Sequence, residues 1–93
     1  MKAIKDREKF MNELKNNLQR VVGGVYYRYK TDGIECLTVT DIYKDSSLEL
    51  KLYDAGLEVR TNGAFAGCLC FSVYGNKTQL FMGVTRMLTN AGF

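Results

Sequence analysis

The sequence predicts an α+β domain in which a mainly antiparallel sheet of about five strands is flanked by an N-terminal and a C-terminal helix, in the order α-β-β-β-β-β-α. Three observations carry this. Residues 48–60 alternate apolar and polar side chains, as a half-buried β-hairpin does, with Leu48, Leu50, Leu52, Leu57 and Val59 on one face. The dipeptides Asp32-Gly33 and Asn62-Gly63 each sit between strand-like runs, the strongest short-range signal for a hairpin turn. At both ends of the chain the apolar period lengthens to that of a helix. A chain of 93 residues suits one domain, 1–93, because it buries a single modest core.

The first helix is expected over residues 3–22, firm from 9 onwards. Ile4, Phe10, Met11, Leu14, Leu18, Val21 and Val22 recur on one side, and Gly23-Gly24 ends the run. Lys5, Arg7, Lys9, Lys15 and Arg20 share its polar side with Asp6, Glu8 and Glu13, a mixture typical of a solvated face supported by pairs at helical spacing.

Residues 25–31 and 34–40 are dense in aromatic and β-branched side chains and form the first hairpin. A two-residue turn at Asp32-Gly33 sets Lys30 opposite Glu35, Arg28 opposite Leu37 and Tyr26 opposite Val39. Pattern alone does not decide which face is buried. The charges of Arg28 and Lys30 favour Tyr27, Tyr29, Ile34 and Cys36 as the inner set.

Residues 41–47 read as a loop or wide turn around Ile42 and Tyr43. In the central hairpin a two-residue Ala55-Gly56 turn sets Leu52 opposite Val59 and Leu50 opposite Thr61, and keeps one face apolar. Residues 64–74 follow, with Leu69, Phe71 and Val73 facing one way and Ala66, Cys68, Cys70 and Ser72 the other. Apolarity on both sides predicts an interior strand, firm over residues 68–74, and Gly67 marks a bulge or a close approach.

Gly75 ends that strand, and Asn76 caps a helix with Gln79 at its third position. Leu80, Phe81, Val84, Met87 and Leu88 make the apolar face of this second helix, Gly83 either permits close packing on the sheet or makes the helix weaker than its pattern implies, and Gly92 is the expected C-cap with Phe93 folding back. Both helices are expected on the apolar face of the sheet; the opposite face is the alternative for the first.

No His is present, which removes every Ser-His and Cys-His nucleophile and the usual base near neutral pH. Cys36, Cys68 and Cys70 are odd in number and too few for a structural zinc without help, so they read as reduced, small apolar side chains. Asp41, Asp45, Asp54, Glu49 and Glu58 are the carboxylates an enzyme would draw on, and no spacing among them marks a catalytic pair. Neither a phosphate-binding glycine loop nor a calcium loop is present. No cofactor and no metal are expected. A small enzyme with a Cys or carboxylate site ranks third among the functions, and the chain is expected not to be an enzyme.

The N-terminus lacks an apolar secretion-signal core and no run approaches the length of a membrane helix, so a cytoplasmic, soluble protein with no membrane partner is expected. A net charge of +3 permits an acidic partner without requiring one. The richest candidate surface is Tyr26, Arg28 and Lys30 of the first hairpin, joined by Ile42 and Tyr43 of the following loop. Tyrosine and arginine are the residues of protein hot spots, which makes another protein the expected partner. The alternative is nucleic acid, with Tyr26, Arg28, Lys30 and Tyr43 stacking on bases and meeting phosphates. Self-association through an open strand edge is a further expectation. In size and style, though through no motif, the chain resembles the accessory and inhibitor proteins of phages and other mobile elements.

Overall fold

A computed structural model describes residues 1–93. The order is α1 (Arg7–Val21), β1 (Val25–Thr31), β2 (Ile34–Asp41), β3 (Ser46–Tyr53), β4 (Gly56–Thr61), β5 (Ala64–Cys70), a short 3-10 turn (Phe71–Val73) and α2 (Lys77–Asn90). The five strands form one antiparallel meander, β1-β2-β3-β4-β5, so β1 and β5 are its edges. The expected α-β-β-β-β-β-α architecture is present.

Local chemistry accounts for the boundaries. Asp6 caps α1 by accepting from the Lys9 N–H at 3.0 Å, which holds the helix start two residues earlier than its firm part was expected. Asn76 caps α2 by accepting from Gln79 N–H, and Gln79 Oε1 accepts in return from Gly75 N–H. Both turns at 32–33 and 62–63 have positive φ at each central residue, 50° and 77° in the first, 51° and 83° in the second. That is the handedness a twisted two-residue hairpin requires.

The core lies between the sheet and both helices, which share one face of it. Phe10, Met11, Leu14 and Leu18 of α1 and Leu80, Phe81, Val84 and Leu88 of α2 close over Leu37, Val39, Leu48, Leu50, Leu52, Leu57, Val59 and Leu69. Phe71 is inserted beside Phe10, whose ring also meets Phe81 at 5.5 Å.

Three expectations are corrected. In the first hairpin the strand pairing is as expected, but the inner set is Glu35, Leu37 and Val39 with Tyr26 and Arg28, while Tyr27 and Tyr29 face outwards. The cause is the register with β3, where Leu37 lies opposite Leu50 and Val39 opposite Leu48. Burying the leucines of β3 commits β2, and through it β1, to the same phase. Cys36 is fully buried all the same, on the outer face beside Tyr29 and Lys51.

The central turn is Asp54-Ala55, so Leu52 faces Leu57 and Leu50 faces Val59. The apolar face survives, because the shift moves each partner by two. Gly56 serves β5 and not the turn: a Cβ there would lie 2.3 Å from Leu69 O and 2.9 Å from Cys70 Cα. Finally, β5 is an edge strand that ends at Cys70. Its partner β4 begins at Gly56, so the ladder has nothing to offer beyond Cys70, and Phe71 turns inwards with its N–H on Ala55 O.

Candidate interaction surface

The five residues singled out in the sequence fall in three places. Tyr26 is on the helix side at the sheet margin, packed against the core, and its hydroxyl donates to Val22 O at 2.8 Å. Arg28 is on the same side and occupied by its own fold: it donates to Glu35 Oε2 at 2.5 Å, to Asn12 Oδ1 at 2.6 Å and to Cys36 O at 3.3 Å. Lys30, near the hairpin tip, is open to solvent with its ammonium 3.8 Å from Glu35 Oε1. Ile42 and Tyr43 occupy the β2–β3 loop at the other end of β1, where Val25 pairs with Thr40. Asp41 shapes that loop by accepting from the N–H groups of Tyr43 and Lys44.

The surface that the fold leaves open is the outer face of the sheet, which neither helix covers. Its centre is charged but neutralised: Glu49 lies 3.7 Å from Lys51, and Glu58 accepts from Arg60 Nε at 2.6 Å. Towards β1 it becomes aromatic. The rings of Tyr27 and Tyr29 stack with centroids 6.0 Å apart at 19°, and Tyr29 donates its hydroxyl to Glu49. Burial, then that bond and the nearby Cys36, hold the Tyr29 phenol well above its usual range. The Cys36 thiol is also pushed up by burial, against the lowering effect of the Tyr29 hydrogen bond and Lys51.

At this margin four large apolar side chains stand exposed: Val25 at 57%, Tyr27 at 63%, Ile42 at 67% and Tyr43 at 95%. Val25, Ile42 and Tyr43 line a groove of about 420 Å³ with Gly23, Gly24 and Phe93. Sequence reasoning missed Tyr27 because it placed that residue in the inner set, and it did not single out Val25, which lies on the same face of β1. The signal that locates them is the leucine phase of β3, carried across two strand pairings.

The remaining chemistry is dispersed. Asp54 pairs with Arg7, and the thiols of Cys68 and Cys70 lie 3.9 Å apart at the β5 edge. No group of three or more Cys, Asp or Glu side chains is placed to hold a metal ion. No helix is long and apolar enough to cross a membrane. A second concavity of about 500 Å³ runs between the helices, lined by Asn17, Val21, Phe81, Met82, Thr85 and Arg86 among others. No protein-family model, no curated protein and no solved structure matches this chain.

Proposed function

We propose that the protein is a small non-enzymatic binding module that recognises another protein through the outer face of its first hairpin, Val25, Tyr27 and Tyr29, together with Ile42 and Tyr43. One observation carries the reading: Val25 and Tyr27 stand exposed on the sheet face that no helix covers, and Val25 shares a groove with the exposed Ile42 and Tyr43 of the adjoining loop. Tyrosines held rigidly on a strand lose little entropy on contact and bring large area, which suits a binding hot spot. The mechanism is occupancy, a firm aromatic margin set over an amphipathic patch of the partner. Support for nucleic acid is thinner, because Arg28 is engaged by Glu35 and the open-face cations Lys51 and Arg60 are paired with Glu49 and Glu58.

The test is affinity capture of the tagged protein from native lysate, split into nuclease-treated and untreated halves. A protein retained in both halves is expected. Tyr27→Ala or Tyr43→Ala should then weaken that complex by about 2 kcal/mol, roughly thirtyfold, with little salt dependence. Retention unchanged in both variants would refute the surface, and loss of all partners after nuclease would move the reading to nucleic acid.

A further inference from the structure

The two edges of the sheet are built differently. β5 is broken by a register shift opposite Val59 and Arg60 and contains Gly67 at φ 153°, the kind of irregularity that discourages a further strand. β1 is paired without interruption over all seven of its residues, and nothing lies beyond it. The two-residue turn makes Thr31 and Ile34 a hydrogen-bonded pair, so Thr31, Tyr29, Tyr27 and Val25 direct their backbone groups at β2. The N–H and C=O groups of Tyr26, Arg28 and Lys30 therefore point away from the sheet.

We infer that this edge pairs with β1 of a second copy, antiparallel about a two-fold axis at Arg28, so that two five-stranded sheets become one of ten. The register follows from the outward groups. With Arg28 opposite itself, Tyr26 of one copy faces Lys30 of the other, and all three outward residues are satisfied in both copies. Every other register leaves some of them beyond the partner strand. On the outer face the same pairing sets Tyr27 of one copy against Tyr29 of the other, joining two stacked tyrosine pairs into one cluster. The like charges at the axis are drawn off it, since each Arg28 guanidinium is held by its own Glu35 and Asn12. Because each chain has one uninterrupted edge, the pairing closes at two copies and does not propagate. This inference does not rest on the partner-binding reading, since a dimer that captured no other protein would leave it standing.

Sedimentation over about 1–500 µM should show monomer passing to dimer and no further. Lys30→Pro removes an outward N–H without touching the bonds to β2, a place where an edge strand accepts proline. It takes two hydrogen bonds from the dimer and should weaken it at least about tenfold, whereas Lys30→Ala, which keeps the N–H, should not. Hydrogen exchange on the unaltered protein needs no variant. The amides of Tyr26, Arg28 and Lys30 should slow by at least about tenfold from dilute to concentrated solution, while those of Tyr27 and Tyr29 are protected throughout. A monomer at every concentration, assembly beyond two copies, equal association of a folded Lys30→Pro and Lys30→Ala, or a dimer whose Tyr26, Arg28 and Lys30 amides stay fast would each overturn the inference.

Discussion

Removing Arg28 should damage the fold more than any partner contact. Glu35 is the one polar or charged residue among the buried set, 7% exposed, and its carboxylate takes its close hydrogen bond from Arg28 Nη2 at 2.5 Å. In Arg28→Met the nearest cation left is Lys30, at 3.8 Å and itself solvated. Breaking a buried ion pair by deleting one partner costs about 3–5 kcal/mol, because the remaining charge is stranded. The residual pull of Lys30 places the expected loss near the lower end, about 3 kcal/mol. Against a total stability of about 5–15 kcal/mol this is large, and in a chain of this size it corresponds to a fall in Tm of about 12–24 °C. Urea unfolding at fixed protein concentration, with the midpoint read at constant m, measures it. The double variant Arg28→Met/Glu35→Met removes both charges and should recover most of the loss, to within about 1 kcal/mol of the unaltered protein. An Arg28→Met protein within about 0.5 kcal/mol of the original, or a double variant no better than the sum of its singles, would refute the argument that Arg28 serves Glu35.

Leu50, fully buried on the middle strand, should lose about 3–5 kcal/mol on replacement by Ala, enough to leave the protein largely unfolded at moderate urea. Gly56→Ala drives a Cβ into the β5 backbone and should lower the urea midpoint sharply, whereas Gly23→Ala meets nothing within 4 Å and should stay within about 1 kcal/mol of the original; similar midpoints would refute the close β4–β5 approach. Tyr29 keeps its proton in the fold at a pH where the unfolded chain, at about 10, has lost it. Its contribution is therefore whole below about pH 10 and is lost as pH rises above that value. Urea melts of Tyr29→Phe should show a shallower decline there, and an identical decline would count against the Glu49 bond. Cys36 should resist a maleimide in the native state while exposed Cys68 reacts, and modify only on unfolding; mass spectrometry after brief labelling distinguishes the two.

Element order was legible because it depends on short-range chemistry. Asp32-Gly33 and Asn62-Gly63 specify their turns through residues that tolerate positive φ, and Asn76 with Gln79 specifies a helix start through two side chains. Gly83 left two readings, close packing or a weakened helix, and the structure favours the first, since a Cβ there would meet Tyr74 Oη at 2.9 Å and Leu69 Cδ2 at 3.1 Å. Gly56 misled because a glycine beside a turn has two readings. Its real constraint comes from Leu69 and Cys70, thirteen and fourteen residues further on.

The candidate surface was harder to read, since it turns on a single binary choice that the first hairpin does not contain. Within residues 25–40 one face offers Tyr27, Tyr29 and Cys36 and the other offers Leu37 and Val39 with two cations, so local hydropathy leans towards the tyrosines. The decision is made across the Ile42–Asp45 loop, where Asp41 opposite Ser46 brings Leu37 and Val39 against the leucines of β3. Burying that continuous stripe outweighs the cost of carrying Arg28 inwards, because Arg28 arrives with Glu35, Asn12 and Cys36 O to satisfy it. The same choice turns Tyr27 out to solvent. The aromatic margin is thus a consequence of how the core is phased, and a substitution that reversed that phase would have to bury Tyr27 and expose Leu37 together.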